Sequence, residues 1–154
     1  MKTLPSTLIL PPRTRTGQGA IEALLPECLA FGARGLLVHG RSLERKGVLE
    51  RIVSRLPDDM NVQNWAFTGD EPTLDDLAAL LDCARDVKPD WIAADGGGSV
   101  LDVAKAAAGL LQAPRPVEDY HGGAEIPPSR VPFVAAPTTA GTGSEVTIVA
   151  VLTD

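Results

Sequence analysis

A short strand-forming run, Trp91 to Ala94, passes through Asp95 into three consecutive glycines, Gly96, Gly97 and Gly98. It then enters a helical pattern from Ser99 to Leu111. Few folds accommodate that order. Glycines between a strand and a helix let the backbone approach a ligand closely, and the helix N-terminus turns its free N–H groups and positive dipole end toward it. A diphosphate suits such a turn. Ser99 and Asp102 also fit a capping box, a purely local role that Ser99 can combine with anion binding.

The rest of the chain repeats the same alternation. Residues 6–10 can form an edge strand closed by Pro11 and Pro12, and Gly17–Gln18–Gly19 opens a helical stretch to about Phe31. Gly35 to His39 reads as a buried strand. Ser42 is a candidate cap for a helix carrying Leu43, Val48, Leu49, Ile52, Val53 and Leu56 at helical spacing. Val62 to Phe67 is a strand, and Thr73 caps a helix through Ala84 that Pro89 ends. A Pro/Gly-rich loop fills residues 113–130, with strands expected at 131–136 and 146–152.

This pattern implies βαβ units: a Rossmann-like, doubly wound α/β domain with a mainly parallel sheet and helices on both faces. Ligands bind such sheets at the carboxyl ends of the strands, where the strand order reverses. Composition supports one domain over 154 residues, with 44% apolar residues and only 4% aromatic ones, so aliphatic side chains must build the core. Fourteen Lys and Arg against 20 Asp and Glu give a formal charge of −6, with no basic run to hold a nucleic-acid backbone. No stretch approaches the roughly 18 apolar residues of a membrane span, and the N-terminus does not read as a signal peptide. Cys28 and Cys83 lie in apolar helical stretches and read as two reduced, buried thiols of a cytoplasmic protein.

A second motif follows the strand at 131–136: Pro137-Thr138-Thr139-Ala140-Gly141-Thr142-Gly143-Ser144-Glu145-Val146-Thr147. Its hydroxyls offer neutral donors and acceptors for phosphate, ribose or a carboxamide; a solvated loop has the same composition.

Together the two motifs resemble the signatures of the iron-containing (group III) alcohol dehydrogenase family, which is related to glycerol dehydrogenase and dehydroquinate synthase. Gly96 to Ser99, Asp102, Ala104 and Lys105 match the glycine motif, and residues 137–147 match the second one. Gly17, Gly19 and the Glu71-Pro72-Thr73 turn fit weaker features. The resemblance implies a dinucleotide-binding domain that, in the family, precedes a helical domain. There one Asp and three His hold a divalent metal, usually Fe²⁺, and hydride passes between a nicotinamide and a small alcohol or aldehyde. On that reading the metal ligands lie beyond residue 154, and this stretch alone is inactive. His39 and His121 are then cofactor-side or merely exposed. The face that meets the helical domain in the family would be open, which allows a homo-oligomer.

Carried over by motif position, the resemblance puts the pyrophosphate on Gly96, Gly97, Gly98 and Ser99. Thr138, Thr139 and Thr142 fall along ribose, phosphates and nicotinamide. Asp102 lies toward the nicotinamide end, with its helix-cap role as the local alternative, and Lys105 is solvated or paired with a carboxylate. Pro72 and Thr73 border the adenine. Many family members carry an acid in the turn after the second strand. This chain has Gly40 there, followed by Arg41 and Ser42. Without the acid's repulsion, and with a guanidinium in its place, NADP is preferred over NAD. Asp95 stands where the family has an apolar residue, and weakens binding unless it is paired or turned away. Two other readings are a stand-alone nucleotide-binding module without activity and a lyase of the dehydroquinate synthase type. The Pro137–Thr147 motif argues against the lyase.

Overall fold

The computed structural model describes residues 11–45 and 47–154. The expected strand at 6–10 lies outside the described residues. Four strands, β1 (Arg34–Gly40), β2 (Asn61–Phe67), β3 (Trp91–Gly96) and β4 (Phe133–Pro137), pair in parallel in the order β2-β1-β3-β4. Six α-helices accompany them among the described residues: α1 (Leu24–Cys28), α2 (Arg41–Arg45), α3 (Val48–Val53), α4 (Leu74–Val87), α5 (Gly98–Leu110) and α6 (Val117–His121). The chain leaves β1 toward β2, then returns past β1 to β3 and β4. The reversal therefore falls between β1 and β3, and there the carboxyl ends of the strands open a crevice.

Strand alternation sorts the core into two layers. Leu36, Val38, Ile92 and Ala94 face α4 and α5, meeting Leu77, Leu80, Leu81, Leu101 and Val103. Leu37, Trp91 and Ala93 face the other way, toward Leu24, Leu25, Cys28, Leu43 and Ile52. Each fully buried leucine contributes about 1.5–3 kcal/mol. β3 lies in the middle of both layers and is buried along its whole length, whereas β2 is a largely exposed edge. The two thiols sit on opposite faces, Cys28 in one layer and Cys83 against the other, so they cannot pair. Burial pushes the Cys28 thiol up to about 12, an inert core group. Cys83 is only half-buried, against the expectation of two buried thiols.

Several elements differ from the sequence expectation, each for a local reason. The helix expected over 17–31 is three short pieces, with 3₁₀ turns at Ala20–Ala23 and Leu29–Phe31 flanking α1. Pro26 lacks the N–H that would bond back across the first junction. The helix expected after Ser42 divides into α2 and α3 at Gly47, whose φ of 60° breaks the helical path, and Ser42 lies inside α2 rather than capping it. α6 interrupts the 113–130 loop, where Tyr120 packs its ring into the core. β4 starts at Phe133, two residues later than expected.

The largest departure is 146–152, which is not a strand. Val146, Ile148, Val149 and Val151 are exposed, with Ile148 at 92%. Instead of extending the sheet, this segment crosses the N-terminal ends of α5 and α4. Val151 N–H donates to Asp102 Oδ2 (3.2 Å), Thr153 N–H to the Pro72 carbonyl (2.9 Å), and Leu74 N–H to the Thr153 carbonyl (2.9 Å). An apolar, β-branched run looks like a strand by composition, but becomes one only beside a free edge that accepts it.

Candidate functional site

Three strand ends, Gly40, Gly96 and Pro137, converge on the N-terminus of α5. Gly97 is its N-cap, in extended conformation and with no side-chain cap. The first helical hydrogen bond runs from Leu101 N–H to the Gly97 carbonyl (3.1 Å). The first-turn amides of Gly98, Ser99 and Val100 therefore point out of the helix with no acceptor in it. The capping box expected of Ser99 and Asp102 does not form. Ser99 Oγ instead donates to the Asp70 carbonyl (2.9 Å), tying the β2–α4 loop to α5.

The three glycines have different reasons to be glycine. A Cβ on Gly96 would lie 2.5 Å from Val100 Cβ, so that residue is dictated by strand-to-helix packing. On Gly98 it would lie 3.0 Å from Thr142 Cγ2, so the loop after β4 rests on it. On Gly97 it would meet nothing closer than Thr139 Oγ1 at 3.5 Å. The fold has room for a side chain at Gly97 and does not use it. That is the mark expected of a cradle for something other than protein, and it fits a diphosphate held by uncapped amides.

The loop after β4 forms the wall of this cradle. Thr138 N–H donates to the Gly96 carbonyl (2.8 Å), continuing the pairing of β3 with β4 and placing Thr139 beside Gly97. Thr142 and Ser144 cover Gly98. On the β1 side, Gly40 is buried, with a built Cβ 3.3 Å from Val100 Cγ2. Arg41 is exposed and its guanidinium donates to the Thr68 carbonyl at the end of β2. Ser42 is half-buried in the first turn of α2.

Other candidate residues are drawn together but engaged in the fold. Thr73 caps α4: its Oγ1 accepts from Asp76 N–H (3.1 Å), and Asp76 accepts the Thr73 N–H (3.0 Å) and hydroxyl (2.7 Å). Pro72 is buried and its carbonyl takes the 153 strap. Asp102 is buried and is the carboxylate partner of Lys105, one of the two alternatives expected for that lysine. Its Oδ1 lies 3.1 Å from Lys105 Nζ, an ion pair off the hydrogen-bond axis, while Oδ2 accepts from Val151. The i,i+3 spacing of Asp102 and Lys105 was the available signal.

His39 is not exposed, exposure being one of the two placements expected of it. It is 1% accessible, on the face of β1 that packs against α1–α3, with Nε2 3.9 Å from Glu44 Oε1. Asp95, its register partner on β3, is buried with a partner inside the fold. By strand alternation it falls on the Trp91–Ala93 face of β3. His121 is half-exposed and 3.5 Å from Asp154. Among the described residues no three His, Cys, Asp or Glu side chains converge as metal ligands, so no metal chemistry is derived from them.

A parallel α/β sheet with an uncapped, glycine-lined helix N-terminus at its switch point defines the class of dinucleotide-binding Rossmann-like domains. Comparison with known proteins makes the class specific: residues 11–154 match the family of iron-containing alcohol dehydrogenases, and the chain belongs to it. It is 35% identical over 150 residues to long-chain-alcohol dehydrogenase 1 of Geobacillus thermodenitrificans, covering 94% of this chain and 38% of that protein. It is 34% identical to an NADPH-dependent aldehyde reductase of Escherichia coli, over 88% of this chain and 35% of that one. A solved structure, sulfoacetaldehyde reductase of Bifidobacterium kashiwanohense in complex with NAD⁺, superposes with a TM-score of 0.85 at 31% identity. It covers 97% of this chain and 40% of its own. The chain thus spans about two fifths of the length of such relatives.

Proposed function

We propose that this chain is the cofactor-holding part of a metal-dependent alcohol or aldehyde dehydrogenase, and that it binds NADP(H) in preference to NAD(H). The carrying observation is the unused space at Gly97, in front of the uncapped first turn of α5. In this reading the amides of Gly98 and Ser99 hold the pyrophosphate. Thr138, Thr139 and Thr142 line the nicotinamide half, and Pro72 and Thr73 border the adenine through backbone and ring. Asp102 acts behind the loop rather than on the cofactor. Bound there, the dinucleotide supplies or accepts a hydride; the chain's part is to fix its orientation and shield it from water. In this reading the stretch supplies the cofactor site, and turnover depends on a metal held elsewhere in the protein. A cytoplasmic setting suits the two thiols, which lie on opposite faces.

The NADP preference rests on Gly40 and Arg41. Val100 leaves little space for a side chain at Gly40, and the Thr68 carbonyl holds the Arg41 guanidinium across the ends of β1 and β2. An adenosine 2′-phosphate at that position meets a positioned cation. Titration calorimetry with NADPH and NADH should show NADPH binding more tightly. Arg41→Ala should weaken NADPH about tenfold, the loss of one charge-assisted contact, and leave NADH nearly unchanged. Tighter NADH binding, with both cofactors indifferent to Arg41→Ala, would reject the preference.

A stand-alone nucleotide-binding module is the second reading, and the same cradle at Gly97 would serve it. The two part over the parent reading frame: an Asp and three His following residue 154 would decide for the enzyme.

A further inference from the structure

Lys105 is the most connected cation near the site, and nothing in the cofactor reading uses it. It lies in the second turn of α5, two turns along the helix from Gly98, with its side chain only 15% exposed. The ammonium donates to the Ser144 carbonyl (2.9 Å) and to Thr147 Oγ1 (3.2 Å), and lies 3.1 Å from Asp102 Oδ1. The other oxygen of Asp102 takes the Val151 N–H (3.2 Å). One ion pair on the rigid helix thus holds both ends of the 144–151 segment, whose middle, Ile148 and Val149, has no support from the core. The same segment leads out of the 138–144 loop, in which Thr142 and Ser144 cover Gly98.

We propose that Lys105, held by Asp102, is a positioning residue for the nicotinamide half of the cofactor. It fixes the loop after β4 against the α5 N-terminus and touches no part of the ligand. The chemistry suits the task. A half-buried ammonium has three donors and no acceptor, so it can gather a carbonyl, a hydroxyl and a carboxylate at one point. Partial enclosure makes its contacts with Asp102 and Ser144 stronger than at an open surface. A loop of glycines and threonines has no apolar anchor of its own, so without the clamp it samples many conformations and must be ordered by the ligand.

The strand order gives the effect a direction. A dinucleotide centred on Gly97 and Gly98 extends one nucleoside toward β1 and β2, where Gly40 and Arg41 lie, and the other toward β4. Only the second meets the clamped loop. This inference rests on the dinucleotide reading, and the test separates the two.

Lys105→Met, Lys105→Arg and Thr147→Val would be titrated with NADPH and, separately, with 2′,5′-ADP, which lacks the nicotinamide nucleoside. Amide hydrogen exchange would be followed at Ser144, Thr147 and Val151. Lys105→Met should weaken NADPH about tenfold, leave 2′,5′-ADP within about twofold, and speed exchange at those three amides. Lys105→Arg should restore part of the loss. Thr147→Val removes from an exposed position the hydroxyl that accepts from Lys105 and donates to the Val149 carbonyl (3.3 Å), and should show the same split at about threefold even if Lys105→Met does not fold. Equal weakening of both ligands, or no weakening of NADPH in either Lys105→Met or Thr147→Val, would overturn the clamp. Failure of the unaltered chain to bind either ligand would instead overturn the dinucleotide reading.

Discussion

The two ends of the β1–β3 pair both depend on glycine, and the missing side chains make room for different things. At the amino end, a Cβ on Gly35 would lie 2.0 Å from the Trp91 ring, and one on Gly32 would lie 2.5 Å from Asp90. There the protein fills the space itself. Trp91 lies over Gly35, its indole N–H reaches the Gly32 carbonyl (3.0 Å), and Asp90 accepts from Arg34 N–H (2.9 Å) and its guanidinium (2.9 Å). At the carboxyl end Gly96 is also filled, by Val100, but Gly97 is left open. A glycine whose space is occupied by the fold reports on packing. One whose space is empty, at an uncapped helix N-terminus, reports on a ligand.

Substitution at each end should separate the two kinds. The largest effect is expected for Gly35→Ala, where a methyl would have to displace a fully buried indole. Overpacking of this sort costs about 3 kcal/mol, read as a lower denaturant midpoint with little change in slope. A loss under about 0.5 kcal/mol would remove the contrast, because it would mean the Trp91 ring moves freely. Gly98→Ala is intermediate. Its methyl meets Thr142, in an exposed loop that can yield, so stability should fall by about 1 kcal/mol.

The smallest effect is expected at Asp90, back at the amino end. The Arg34 guanidinium and backbone N–H hold its carboxyl below the usual aspartate range. A group depressed on folding stabilises above its unfolded pKa, and that contribution fades as pH falls through the folded value. Asp90→Asn should therefore cost less than about 1 kcal/mol at neutral pH, because the pair is exposed to water. The difference from the unaltered chain should close below pH ~3.9 as the carboxyl protonates. Urea unfolding across pH checks this, and a gap that widens in acid would contradict the assigned pairing.

What could be read from the sequence divides along similar lines. β1, β3, α4 and α5 were legible because buried parallel strands and amphipathic helices leave periodic apolar patterns. α4, with Leu77, Leu80, Leu81 and Ala84 on one face and Thr73 as its cap, is an example. The glycine turn was legible because three glycines at a strand-to-helix junction have few uses. Which glycine is empty was not, since that depends on Val100, Thr139 and Thr142 arriving from elsewhere in the chain. The 146–152 run failed as a strand because its apolar pattern says nothing about a free edge. For Lys105 the carboxylate pairing was legible as one of two alternatives, but its partners at 144 and 147 were not, because they are about forty residues away and meet it only through the β4 crossover. The burial of His39 was not legible for a related reason: burial at a strand end depends on whether a helix covers it.

The central claim is that the open space at Gly97 belongs to a nicotinamide dinucleotide. The most direct measurement is parallel titration of NADPH onto the unaltered chain and onto Gly97→Ala, with both unfolded in denaturant alongside. Gly97 has an ordinary backbone conformation and a Cβ there makes only a 3.5 Å contact, so the variant should keep its stability within about 0.5 kcal/mol. Its methyl would occupy the path to the α5 amides, so affinity should fall at least about tenfold. Affinity unchanged in a stably folded Gly97→Ala chain would contradict the account.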